Sequence, residues 1–131
     1  MGAGLIGSRH VQRVRAHGAC TLVGVVDPVV DPGPGVAHFT DLEAVDVPVD
    51  GVIIATPTGL HGAHGTRAAK RGWHILMEKP VTETPKQARA LAEAVEGAGV
   101  SCLVGHHRRY HPAVQRLRHM VREGGIGTPI T

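Results

Sequence analysis

Gly2-Ala3-Gly4-Leu5-Ile6-Gly7, followed by the apolar run Thr21-Leu22-Val23-Gly24-Val25-Val26 that ends on Asp27, is the stretch from which the fold of this chain is read. The three glycines of a G-x-G-x-x-G turn have separate duties: a tight turn, close approach of backbone to a pyrophosphate, and close packing of helix on strand. The pattern predicts a helix over Leu5 to His17, with its leading N–H groups aimed at phosphate. Asp27 lies 20 residues beyond Gly7 at a strand end. A carboxylate there accepts hydrogen bonds from an adenosine ribose and repels a 2′-phosphate, so NAD is expected and NADP is less favoured. A plain glycine turn is the simpler reading in a chain with 18 glycines, and the acid at this spacing outweighs it.

Outward from this stretch, apolar runs recur at Leu22-Val26, Val52-Ala55, His74-Met77 and Val100-Val104, with helical spacing between the later ones. That alternation predicts an α/β fold with a doubly wound parallel sheet. The clearest helix runs from Pro85 to about Gly97, opened by a Thr84/Gln87 capping box and carrying Ala88, Leu91, Ala92 and Val95 on one face. A second is expected over Pro112 to Glu123, with Val114, Leu117 and Val121 inward. His61 to Arg71 is a weaker helix, because Gly62 and Gly65 each cost about 1 kcal/mol against Ala. Two elements are missing from the pattern. Only Met1 precedes the glycine turn, where a strand belongs, and Pro28 to Gly35 holds three prolines where a crossover helix belongs.

The composition narrows the function classes. With 131 residues, 42% of them hydrophobic, the chain can bury one core of ordinary size. Phe39, Trp73 and Tyr110 are the three aromatics, so the core must be aliphatic, which suits strands buried on both faces. No apolar stretch approaches the roughly 20 residues of a membrane span and no leader opens the chain, so a cytoplasmic protein without a membrane partner is expected. Cys20 and Cys102 read as small buried hydrophobes of a reducing compartment. The net charge of +3 concentrates at Arg108, Arg109, Arg116, Arg118 and Arg122, and reads as a solvated helix face rather than a nucleic-acid surface. His107 and His111 are four apart, but Pro112 breaks the helix there and no acid or cysteine joins them, so no metal site is read.

Four blocks in order resemble the N-terminal half of the glucose-fructose oxidoreductase and inositol dehydrogenase (Gfo/Idh/MocA) family. They are Gly2 to Gly7, Ala55-Thr56-Pro57-Thr58-Gly59-Leu60-His61, Glu78-Lys79-Pro80, and Gly105-His106-His107-Arg108-Arg109-Tyr110-His111-Pro112. The resemblance implies a Rossmann domain in which Ala55, Thr56, Pro57, Thr58 and His61 line a nicotinamide cofactor whose pyrophosphate rests on Gly2, Gly4, Leu5, Ile6 and Gly7. It places Glu78 and Lys79 near the nicotinamide ribose and ring, and His107 and Arg109 along the same pocket. Lys79 is the catalytic candidate, since an ammonium beside the reacting oxygen stabilises an alkoxide-like charge and can relay a proton. The Lys79-Pro80 peptide is expected to be cis.

The resemblance also implies hydride transfer to or from a polyol, sugar or related hydroxy compound, with a second domain supplying specificity. The 131 residues read as one Rossmann-like domain, truncated at both ends relative to that family and lacking the substrate domain. The chain by itself is therefore expected to be inactive and prone to self-association, as a homo-oligomer or as aggregate. The alternative reading is a catalytically silent nucleotide-binding fragment or regulatory module.

Overall fold

The computed structural model describes residues 1–128 and Ile130. Five short strands, β1 (Val25–Val26), β2 (His38–Phe39), β3 (Gly51–Ile54), β4 (His74–Met77) and β5 (Cys102–Val104), are joined by four helices. The helices are α1 (Leu5–Ala16), α2 (Thr58–Lys70), α3 (Pro85–Ala98) and α4 (Pro112–Arg122), and a 3-10 turn at His107–Tyr110 precedes the last. All pairings are parallel: Val25 and Val26 lie beside His38 and Phe39, Ile54 beside Met77, and Met77 beside Val104. The α/β Rossmann-like reading thus stands, including its two gaps. The sheet falls into two pieces, β1-β2 and β3-β4-β5, and the β1 to β2 crossover through Pro28–Gly35 contains no helix.

Met1 is the joint between the two pieces. Its amino group donates to the Ile53 carbonyl at 2.7 Å, its carbonyl accepts from Ala55 N at 2.9 Å, and Gly2 N donates to the Val26 carbonyl at 2.8 Å. Met1 and Gly2 together therefore bond to both sides, Met1 to β3 and Gly2 to β1, as a strand between them would. Behind it the two pieces stand apart around an apolar cavity of about 140 Å3, lined by Val11, Val25, Ile53 and Trp73 among others. This explains why the run expected over Leu22–Val26 is regular only at its last two residues: Leu22, Val23 and Gly24 face the cavity rather than a ladder partner.

The core lies on one face of β3-β4-β5, where Ile54, Ile75 and Met77 meet Ala68 and Ala69 of α2 and Leu91 of α3. Leu42, Val45 and Trp73 close its edge. Gly65 makes the α2 to α3 approach possible, since a Cβ there would sit 2.7 Å from Leu91 Cδ1 and 2.8 Å from Met77 Cε. The helix read as weak, now Thr58–Lys70, owes its existence to this packing. α3 has the expected capping box, with Thr84 Oγ1 accepting from Gln87 N, and ends on Gly99 in the left-handed region.

Three expectations fail. The sheet is not buried on both faces: Ile53, Leu76 and Leu103 point away from the core, and Leu103 is 60% exposed. Val114, Leu117 and Val121 do not face inward, because the main neighbour of α4 among the described residues is the turn before it, leaving Leu117 53% exposed. Cys20 is exposed on the irregular connection before β1, while Cys102 is half-buried and its thiol is pushed up by that burial. As expected, Pro28–Gly35 holds no helix; it completes the parallel crossover in extended and turn conformations. Among the described residues no helix is long and apolar enough to cross a membrane.

Candidate cofactor cleft

The glycine turn hangs from Met1. Gly2 takes φ +80°, a conformation that side chains avoid, and its missing Cβ lets Ala55 and Thr56 backbone lie against it. A Cβ on Gly7 would fall onto the Gly2 carbonyl, so Gly7 packs the helix on the turn. Gly4 faces open space, with nothing within 4 Å of where a Cβ would be. No side chain caps α1, and its first helical bond is Ser8 N to Gly4 O at 2.8 Å. The N–H groups of Leu5, Ile6 and Gly7 precede that bond and lead the helix dipole, which is the arrangement that receives an anion. Leu5 and Ile6 are themselves exposed at this end.

Asp27 stands at the end of β1. Oδ2 accepts from Ala3 N at 2.7 Å, and Oδ1 accepts from Val29 N and Val30 N at 2.9 and 2.8 Å. Burial pushes its pKa up, but these three bonds, from Ala3, Val30 and Val29, and the nearby His38 outweigh it and hold the carboxyl below the usual range. Three of about four acceptor positions are used, which leaves one on Oδ2 for an outside hydroxyl.

The remaining candidates line one open cleft of about 920 Å3: Ile6, Ala55, Thr56, Pro57, Thr58, His61, Glu78, Lys79, His107 and Arg109, together with Gly105, His106 and Arg108. Gly2 and Gly7 border the apolar cavity instead, beneath the turn. The cleft follows the carboxyl ends of β3, β4 and β5, since Ala55–Thr58 follows β3, Glu78–Lys79 follows β4 and Gly105–Arg109 follows β5. That edge is where open α/β sheets bind ligands.

Within the cleft, His61 is 1% exposed and serves as a brace. Its Nδ1 lies 2.8 Å from the Pro80 carbonyl and its Nε2 lies 2.8 Å from the Thr56 carbonyl, so one ring ties the loop after β3 to the loop after β4. The Lys79-Pro80 peptide is cis. Glu78 is half-buried, with Oε1 2.9 Å from His10 Nε2 and Oε2 accepting from Lys79 N at 3.3 Å. Burial raises its pKa, yet the His10 bond, Lys79 N–H and the charges of His10 and Lys79 prevail and hold it below the ordinary value. Lys79 is exposed.

In the sequence His10 and His64 carry no assigned role, and both are engaged. His10 stands three positions after Gly7, on the same helix face, and that spacing is the signal that could have found it. His64 Nδ1 meets Thr56 Oγ1 at 3.2 Å. Its pKa is lowered by burial, then by the charges of the Met1 amino group and His61. Among the described residues no three His, Cys, Asp or Glu side chains gather around a common point.

Over residues 1–106 the sequence matches the family described as GFO_IDH_MocA, oxidoreductase family, NAD-binding Rossmann fold. It is 34% identical to scyllo-inositol 2-dehydrogenase (NAD(+)) of Bacillus subtilis strain 168, covering 99% of this chain and 41% of that protein. It is 32% identical, over 72% of this chain and 26% of the relative, to scyllo-inositol 2-dehydrogenase (NADP(+)) IolW of the same organism. Among solved structures, the WlbA dehydrogenase from Bordetella pertussis, in complex with NADH and UDP-GlcNAcA, superposes with a TM-score of 0.85 at 25% identity, over 94% of this chain and 38% of that one. The chain therefore spans about two fifths of the length of the first of these relatives.

Proposed function

Since the chain belongs to the GFO_IDH_MocA oxidoreductase family, with its NAD-binding Rossmann fold, we propose that it is the cofactor-holding part of a dehydrogenase acting on a polyol, sugar or related hydroxy compound. NAD is the cofactor and NADP is the poorer fit. The observation that carries this reading is the uncapped N-terminus of α1 beside open Gly4, one strand from an ionised Asp27 that keeps an acceptor position on Oδ2. The residues fit a dinucleotide: the Leu5, Ile6 and Gly7 N–H groups would hold the pyrophosphate, Asp27 the adenosine ribose, and Thr56, Pro57, Thr58, His107 and Arg109 the nicotinamide end. When bound, the nicotinamide supplies hydride exchange at its C4.

The chain supplies orientation and charge. His61 fixes the Thr56 and Pro80 loops relative to each other, and Glu78 is held by His10, so Lys79 projects from a backbone anchored on both sides. Its ammonium would face the reacting oxygen and hold or pass the proton that accompanies hydride transfer. Thermal unfolding with NAD and with NADP tests the reading: ligand at 100 times Kd adds about 2.7 kcal/mol to stability. NAD is expected to bind more tightly, and Asp27→Asn, which keeps one acceptor oxygen, to narrow the preference. Equal binding of NADP by the unmutated chain would overturn the cofactor assignment.

A further inference from the structure

With α1 holding the pyrophosphate as proposed above, we infer that His10 is a positioning residue: through its bond to Glu78 it carries the occupancy of the phosphate site to Lys79. The helix on which it stands is loosely held. Gly7 is the buried residue of α1, whereas α2 buries His61, Gly65, Ala68 and Ala69. The main neighbour of α1 among the described residues is β3, and its His10, Val11 and Val14 border the apolar cavity of about 140 Å3. A helix over such a gap lacks the dense contacts that fix a single position, so it can tilt at small cost. Among the described residues one side-chain hydrogen bond ties Leu5–Ala16 to the rest of the protein, from His10 Nε2 to Glu78 Oε1 at 2.9 Å.

An ionised carboxylate only accepts, so the ring N–H of His10 donates. The two side chains are 22% and 21% exposed, which shields the bond from water and makes it worth more than a surface pair. The Glu78 end is fixed. Its backbone N donates to the Ile54 carbonyl at 2.9 Å, its Oε2 accepts from Lys79 N at 3.3 Å, and both carboxylate oxygens lie 3.6 Å from where a Cβ on Gly105 would be. The His10 end is the one that moves, because it travels with α1. His10 stands about 8 Å along the helix from Leu5, so a phosphate drawn onto the leading N–H groups sets the tilt of α1 and with it the reach of His10 to Glu78. Glu78 in turn holds the Lys79 backbone. Two bonds thus couple the phosphate end of the dinucleotide to the residue that would face the reacting oxygen.

The test uses ADP, which ends at its pyrophosphate and cannot reach Lys79, on the 131-residue chain followed by backbone amide NMR. Saturating ADP is expected to shift the Glu78 and Lys79 amide resonances of the unmutated chain. His10→Ala is expected to bind ADP within about twofold of the unmutated chain, to leave those two resonances unmoved, and to bind NADH about fivefold or more weakly. His10→Gln, whose amide can donate to Glu78 from a similar reach, is expected to restore both. Glu78 and Lys79 amides that stay silent in the ADP-bound unmutated chain overturn the inference, whether or not a variant folds. A response that persists in His10→Ala overturns it too, as do equal losses of ADP and NADH affinity, which mark a merely structural residue. These outcomes leave the cofactor reading intact. Failure of both ADP and NADH to bind the unmutated chain overturns both.

Discussion

Glu78 and Lys79 are neighbours in sequence with opposite surroundings. The carboxylate is half-buried against His10, while the ammonium is exposed at the cleft mouth. In the proposed arrangement a residue held that way contributes little to cofactor affinity, because the adenosine and phosphates would lie at Asp27 and the glycine turn. In the proposed reaction its charge counts where negative charge develops on oxygen. Lys79→Met, in a protein carrying the full length of the relatives, is expected to lower kcat about 10²- to 10³-fold while NAD affinity changes little. Steady-state kinetics beside a NAD titration checks this, and an unchanged kcat would reduce Lys79 to a surface cation. Lys79 was legible in the sequence because Glu-Lys-Pro is a recognisable motif. His10 was not, because its partner lies 68 positions away and only the fold brings them together.

At the scale of elements, α2 and α3 show how tertiary contact overrides propensity. The stretch His61 to Arg71 reads as a poor helix because of Gly62 and Gly65, yet Gly65 is where Leu91 and Met77 need room. Gly65→Ala gains about 1 kcal/mol in helix propensity and loses about 1–3 kcal/mol to overpacking, so a net destabilisation is expected. Gly97→Ala in α3 meets nothing within 4 Å and is expected to stabilise by up to about 1 kcal/mol. Urea midpoints of the two variants should therefore move in opposite directions. Equal shifts would mean that the helix interface relaxes freely. α3 itself was readable to within a residue, since its cap, first-turn proline and terminal glycine are local signals.

For the whole molecule, the joint at Met1 couples folding to pH. Burial lowers the pKa of its amino group from 8.0 to about 6, against a partial opposing pull from Asp27. A base with a depressed folded pKa binds fewer protons folded than unfolded between these values, so stability rises with pH across that window. The two-unit shift corresponds to roughly 2–3 kcal/mol, absent below pH 6 and complete above pH 8. His64, also lowered, adds the same sign only below its unfolded value of about 6.5, and the raised Cys102 thiol opposes the amine only as pH approaches about 8.5, so the rise between pH 7 and 8 reports chiefly the amine. Denaturant unfolding of the 131-residue chain at pH 6, 7 and 8.5 measures the slope, and a flat profile would place the amine in solvent.

The sequence by itself determined the parallel α/β order, the extent of α1, α3 and α4, the glycine turn with its acid at Asp27, and the motif blocks of the cleft. These are local: spacing, caps and turn residues act within a few positions, and period and alternation report which residues are apolar. Tertiary structure decided what each apolar or polar face meets. It left Val114, Leu117 and Val121 without cover, buried His61 between two carbonyls, drew Glu78 onto His10, and set Met1 and Gly2 between β1 and β3 beside an apolar gap. A hydrophobic pattern states which face seeks a partner, but only the packing of distant segments decides whether one is there.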